Sequence, residues 1–147
     1  AGYQGMIRGQ MLDMAAEGQH LTVDELKSMH TLKTGALIEA SLLCGALLAD
    51  ARKRQMEILK TYARNIGLAF QVTDDILNVE GNPKIMGKAV GTDELREKST
   101  YPAILGLETS RQFAKNLVDE ALQVLKVFDK TADPLRALAT YIIERKR

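Results

Sequence analysis

Apolar residues recur every three or four positions along most of the chain, and strict alternation of apolar and polar residues is nearly absent. This spacing matches the 3.6 residues of a helical turn and not the two-residue period of a β-strand. The sequence therefore predicts an all-α fold. No linker or internal repeat interrupts the pattern, so residues 1–147 are predicted to belong to one domain.

Local signals place the ends of the first predicted helices. The first covers about residues 3–17 and stops at Gly18, which favours the end of a helix. Thr22 and Glu25 have the spacing of a capping box, so a short second helix is predicted to begin there. A break in the helix is predicted near Leu32.

The longest apolar run, Ala36–Ala49, contains one charged residue, Glu39. It is shorter than the roughly 20 residues that cross a bilayer, so it predicts a buried core helix and no membrane span. Cys44 lies inside this run and is predicted to be a small buried hydrophobic residue, not a reactive thiol. A long helix with an apolar stripe is predicted over about residues 51–79.

Residues 80–92 contain three glycines and one proline, a composition typical of a loop. Helices are predicted to resume at about Asp93. A further helix begins at a capping box formed by Thr109 and Gln112. The last predicted helix has Asp133 as its N-cap, followed by a proline in the first helical position.

The charges of the chain are nearly balanced, with 20 Lys and Arg against 19 Asp and Glu. This balance argues against a broad electrostatic surface for nucleic acid or anionic membrane, so any anion site must be local. The single cysteine excludes an intramolecular disulfide. No signal peptide or lipidation motif is visible, which favours a cytoplasmic protein.

The end of the long helix carries two adjacent carboxylates, Asp74 and Asp75. At 100° per residue, these two share one helix face with Gly67, Gln71 and Asn78. Neighbouring ionised carboxylates repel each other, and an oxygen-preferring dication such as Mg²⁺ would remove that cost. A solvated acidic turn is the commoner explanation of such a pair. However, acidic residues at a helix carboxy-terminus oppose the macrodipole, which favours a metal-binding role.

Lysines follow the carboxylates in the sequence. Lys88 lies in the glycine-containing loop and Lys98 stands just before Ser99. A lysine ammonium suits phosphate oxygens, and flanking glycines permit close approach of the backbone. Carboxylates, a metal and lysines together indicate a diphosphate, although each lysine by itself is typical of an ordinary surface.

Several short motifs occur in a fixed order along nearly the whole chain. They are Gly5-Met6, Gly9-Gln10 with Asp13, Lys33-Thr34-Gly35, Phe70-Gln71, Asp74-Asp75, Gly87-Lys88, Gly91 with Asp93, and Lys98 with Thr100. In this order and spacing they resemble the trans-isoprenyl diphosphate synthase (polyprenyl synthetase) family, of the farnesyl and geranylgeranyl diphosphate synthase type. The resemblance implies an antiparallel helical bundle of the isoprenoid synthase type, of which residues 1–147 form the carboxy-terminal half.

The resemblance also implies a magnesium-dependent prenyl transfer. An allylic diphosphate loses its diphosphate, and isopentenyl diphosphate attacks the resulting carbocation to give a short-chain product of C15 to C20. Asp74 is implied to be the main protein ligand of one Mg²⁺, with Asp75 supporting it through water. The departing diphosphate is implied to bind Lys33, Lys88 and Lys98.

Further roles follow from the same resemblance. The Thr34 hydroxyl, the Lys33 carbonyl and the Gln71 amide oxygen are implied to face the cationic carbon, which gives Lys33, Thr34 and Gln71 catalytic roles. Phe70 is implied to pack beside the isopentenyl group. The basic tail, Arg145–Arg147, either contacts the second diphosphate or is a solvated helix end, and the latter is the commoner arrangement.

The chain departs from the family pattern in two respects. Asn78 stands where the second aspartate-rich motif usually ends in Asp, and an amide is a weaker metal ligand. The first aspartate-rich motif has no counterpart in the sequence, so the resemblance implies a chain truncated on its amino-terminal side and inactive alone. The full-length enzyme is implied to be a homodimer. A noncatalytic helical interaction module or regulatory subunit is the alternative.

Overall fold

A computed structural model describes residues 2–80 and 98–145 of the chain. Within these residues there is no β-strand, so the all-α prediction is confirmed. The α-helices are α1 (Met6–Ala15), α2 (Val23–His30), α3 (Ala36–Leu48), α4 (Lys53–Glu80), α5 (Tyr101–Leu105), α6 (Leu107–Val124) and α7 (Asp133–Glu144). A π-helical turn, Thr31–Gly35, joins α2 to α3, and two 3₁₀ turns, Leu125–Val127 and Lys130–Ala132, lie between α6 and α7.

Helix α4 is the centre of the fold, and α3, α6 and α7 pack against it. Its core face contains fully buried residues such as Tyr62 and Val72, which meet Val118 of α6 in one apolar cluster. The Tyr62 hydroxyl is satisfied because it donates a 2.7 Å hydrogen bond to the Leu135 carbonyl at the start of α7. This apolar face of α4 therefore holds the bundle together.

The predicted break near Leu32 is wrong, because the chain continues through the π-helical turn without leaving the helix. Two glycines accommodate this wider turn. A Cβ atom on Gly9 of α1 would lie 2.2 Å from the Lys33 backbone nitrogen, and one on Gly67 of α4 would lie 3.1 Å from the Gly35 Cα. The turn thus packs between two helices, at a distance that excludes a side chain at Gly9 and leaves little room for one at Gly67.

The prediction that Ala36–Ala49 forms a buried core helix is wrong for the described part of the chain. Only Ala46 of α3 is buried, and Leu48 is 87% exposed. Cys44, predicted to be buried, is also exposed. The run is apolar, but α4 covers only one side of α3.

The π-helical turn makes Val23–Leu48 a continuous helix of 26 residues. By length and composition alone this helix could cross a membrane. The shorter apolar run Ala36–Ala49 did not predict such a span. Its middle carries Lys33, whose ammonium pairs with Asp13, and one side packs on α4. We therefore interpret it as a helix that belongs to a packed bundle.

Helix ends were predicted with mixed success. Thr22 and Glu25 form both bonds of the capping box, as predicted. Helix α6 begins instead after Gly106, which has φ of 80°, so the predicted Thr109 capping box is wrong. Asp133 is the first helical residue and not the N-cap, and its carboxylate pairs with Arg136. The prediction of a helix from Asp93 lies outside the described residues.

Candidate active site

Three residues of α4, spaced four apart, lie on one face of the helix and contact neighbouring parts of the site. Gly67 packs on the π-helical turn, and one turn later the Gln71 amide oxygen accepts a 3.0 Å hydrogen bond from the Thr34 hydroxyl. A further turn on, Asp75 Oδ1 lies 3.4 Å from the Gln71 amide nitrogen that donates to it. The sequence-predicted pair Thr34 and Gln71 is therefore brought together, 37 residues apart in the chain.

The second carboxylate of the predicted metal pair, Asp75, is buried and 4% exposed. Its Oδ2 accepts a 3.0 Å hydrogen bond from the Tyr101 backbone amide at the start of α5. An ionised carboxylate is favourable at the amino-terminal end of a helix. Asp75 thereby links α4 to α5, and it also accepts a hydrogen bond from Gln71 one turn earlier on α4.

Asp13, on α1, brings two of the predicted phosphate-binding lysines together. Its Oδ2 accepts hydrogen bonds from Lys33 Nζ at 2.9 Å and from Lys98 Nζ at 2.8 Å. Burial by itself would raise the pKa of Asp13, but the two ammonium groups outweigh burial and lower it. The Asp13 carboxylate is therefore ionised and shared by two cations.

Asp74, the predicted main metal ligand, lies beside the end of α7. Its side chain is 32% exposed, and Oδ1 is 3.6 Å from Arg145 Nη2. The same guanidinium donates to the Phe70 carbonyl at 3.2 Å and stacks 4.2 Å above the Phe70 ring. Because the Arg145 side chain is only 9% exposed, a solvated end of the chain is the wrong description of this residue.

The described residues fit a divalent metal through one carboxylate. Asp74 reaches solvent, whereas both oxygens of Asp75 accept hydrogen bonds within the protein. In the described ranges, no three His, Cys, Asp or Glu side chains cluster in a way that could hold a metal ion. Asp74 could therefore supply one ligand, and the others would come from water, a substrate or another polypeptide segment.

The sequence alone assigns no role to Asp13 and favours a solvated position for Arg145. Asp13 belongs to one of the family motifs, and its spacing of four from Gly9 indicates a shared helix face. Arg145 offered no local signal, because its partners lie 71 and 75 residues earlier in the chain. Lys88 lies outside the described residues, as do Lys146 and Arg147.

A family model described as Polyprenyl synthetase matches residues 2–140. The farnesyl diphosphate synthase of Escherichia coli K12 is 49% identical over 151 aligned positions, which cover 100% of this chain and 50% of that protein.

Solved structures are also similar to this chain, and the chain again covers about half of each. An FPP/GFPP synthase from Zymomonas mobilis superposes with a TM-score of 0.83 at 38% identity, over 96% of this chain and 46% of that one. A geranyltransferase from Helicobacter pylori, complexed with magnesium and isoprenyl diphosphate, has a TM-score of 0.80 at 30% identity, over 97% and 47%. The chain thus spans about half the length of the relatives it matches.

Proposed function

Because the chain belongs to the polyprenyl synthetase family, we propose that it forms the carboxy-terminal half of the active site of a trans-prenyltransferase. The reaction joins an allylic diphosphate to isopentenyl diphosphate. The carbon–oxygen bond of the allylic substrate breaks, a carbon–carbon bond to isopentenyl diphosphate forms, and a proton and inorganic diphosphate leave. By the names of two relatives, the farnesyl diphosphate synthase of Escherichia coli and the geranylgeranyl diphosphate synthase of Cyanophora paradoxa, a short-chain product of C15 to C20 is proposed.

The observation that carries the proposal is the convergence of distant residues on two adjoining polar groups. Lys33 and Lys98 meet at Asp13, while Thr34, the neighbour of Lys33, meets Gln71. Two ammonium groups can bind the departing diphosphate, with Lys88 as a third proposed cation. Next to them, the Thr34 and Gln71 oxygens can stabilise positive charge on the allylic carbon.

Asp74 is the proposed protein ligand of Mg²⁺, which would neutralise diphosphate charge when bound. Asp75 is proposed to support this site from the protein side, because its hydrogen bonds to Gln71 and Tyr101 fix the end of α4. Phe70 is proposed to line the isopentenyl position, with its ring held by Arg145. The complete enzyme is proposed to be a cytoplasmic homodimer.

Turnover of radiolabelled isopentenyl diphosphate with geranyl diphosphate and Mg²⁺ tests the proposal. We compare the 147-residue chain with the same chain joined to the amino-terminal half of the Escherichia coli relative. Activity is expected only in the joined protein. There, Asp74→Ala should lower turnover by at least about 100-fold while the protein stays folded. Full turnover in Asp74→Ala would refute the site.

The alternative is a noncatalytic helical module, and the exposed apolar side of α3 is the observation that favours it. Leu47 and Leu48 are 67% and 87% exposed, and a surface of this kind typically binds another polypeptide. An inactive joined protein, together with binding of the separate 147-residue chain to the separate amino-terminal half, would support this function.

A further inference from the structure

The contact face of α1 is unusual because it is not apolar. Of its ten residues only Gly9 and Asp13 are buried. They are four positions apart and therefore lie on the same side of the helix. Burial of apolar side chains does not explain why α1 packs on the π-helical turn.

Close approach and charge explain the packing instead. At Gly9 the backbones of α1 and the π-helical turn are so close that a Cβ atom would lie 2.2 Å from the Lys33 nitrogen. One turn further along α1, the Asp13 carboxylate reaches Lys33 and Lys98 with the same oxygen, Oδ2. Asp13 is 8% exposed, so both hydrogen bonds are shielded from water.

Asp13 leaves the two lysines able to bind an anion. Each ammonium has three N–H donors, and Asp13 accepts one from each. The three groups together retain one positive charge. Without the carboxylate, the two ammonium groups would repel each other, and their flexible side chains would separate towards solvent.

We propose that Asp13 is a positioning residue that holds Lys33 and Lys98 together, ready to bind the diphosphate of the substrate. This inference rests on the proposed function, since it assumes that these lysines bind a diphosphate. It adds a residue that acts through the lysines and does not itself touch the substrate.

The substitution Asp13→Asn distinguishes a positioning role from a purely electrostatic one. The two roles predict opposite changes in the affinity for diphosphate. Removing a negative charge beside a diphosphate site should tighten binding if only Coulomb attraction matters. If Asp13 positions the lysines, binding should weaken by about tenfold, the value of one charge-assisted hydrogen bond. We expect weaker binding.

Glu17→Gln is the matched control. It makes the same charge change, and Glu17 Oε1 lies 3.7 Å from the same Lys98 ammonium. The Glu17 side chain is 49% exposed, so it cannot hold the lysine in a fixed place. Its substitution should leave diphosphate affinity within about twofold or tighten it slightly.

The measurement is a ³¹P NMR titration of inorganic diphosphate and Mg²⁺ with the 147-residue chain and its variants. The ammonium signals of Lys33 and Lys98 are followed in ¹H–¹⁵N spectra. In Asp13→Asn we expect both signals to broaden without diphosphate and to return at saturation, which a general loss of folding would not produce. Should that variant fold poorly, Asp13→Glu keeps the charge but moves the oxygens, and it should also weaken binding.

Tighter or unchanged binding in Asp13→Asn, or unchanged binding in Asp13→Glu, would overturn the positioning role alone. Lys33→Met tests the assumption beneath it. If Lys33→Met binds diphosphate as well as the unsubstituted chain does, or if that chain shows no saturable binding, the proposed diphosphate site falls together with this inference.

Discussion

At the scale of single residues, close backbone contacts at glycines and the ion pairs of an aspartate hold this site together. Elsewhere in the bundle, apolar packing has that role. Gly9 and Gly67 permit two helices to touch the π-helical turn, and the carboxylate of Asp13 then fixes the lysines beside it. The positions of Lys33 and Thr34 therefore depend on neighbours with little or no apolar side chain.

Gly9→Ala should destabilise the fold by about 1–3 kcal/mol, because the added methyl meets backbone atoms that cannot rotate away. Gly45→Ala is the control, since nothing lies within 4 Å of a Cβ there and α3 should gain about 0.5–1 kcal/mol. Free energies of unfolding from urea titrations test both. Equal effects of the two substitutions would contradict the close approach at Gly9.

Burial lowers the pKa of His30 to about 4, with a smaller contribution from Lys33. Its Nδ1 has no hydrogen-bond partner among the described residues, so nothing compensates a charged ring. In the unfolded state the His30 imidazole binds a proton near pH 6.5, whereas in the folded state it does so only near pH 4. Folding stability should therefore fall by about 2–3 kcal/mol as the pH drops from 7 towards 4.

Urea unfolding at a series of pH values measures this loss. His30→Gln should flatten the slope between pH 4 and 6.5, because it removes the imidazole that titrates. His20, the other histidine, is exposed, and His20→Gln serves as the control. A slope that survives in His30→Gln would assign the loss to other groups.

At the scale of elements, α4 connects the site to the rest of the bundle. Gly67, Gln71 and Asp75 contact the π-helical turn and α5, while Phe70 and Asp74 contact the end of α7. The end of α4 is therefore fixed from two sides, which suits a helix that presents a metal ligand.

Arg145→Met should free the last turn of α7, because it removes the hydrogen bond to the Phe70 carbonyl and the stacked cation while keeping an apolar stem. We expect a loss of about 1–3 kcal/mol and faster amide exchange in α7. Arg111→Met is the matched control. Arg111 forms surface pairs with Glu80 and Glu108, whose loss should cost less than about 0.5 kcal/mol. Equal losses would show that Arg145 does not hold α7.

The helices and the order of the site motifs could be predicted because both are local properties of the sequence. The capping box at Thr22 and the apolar stripe of α4 are examples. The π-helical turn could not be predicted, since it depends on Gly9, 24 residues before Lys33, and on Gly67, 32 residues after Gly35. Periodicity likewise identifies an apolar face, as in α3, but does not say what covers it.

At the scale of the whole molecule, the chain spans about half of its relatives, and its most apolar helix is largely uncovered. Leu37 and Leu47 on α3 are 47% and 67% exposed. Isolated exposed leucines are common, but several exposed apolar residues on one helix favour association. The same surface is available to a second copy of the chain or to another segment of polypeptide.

The isolated chain should therefore self-associate in a concentration-dependent way through α3, as measured by sedimentation velocity. Leu47→Gln should weaken this association by about tenfold, because about 1–2 kcal/mol of leucine burial is lost. Val127→Gln is matched in exposure, at 61% against 67%, but lies in the turn between α6 and α7 and should have no effect. If both substitutions weaken association equally, a nonspecific apolar surface is responsible, and α3 is not its centre.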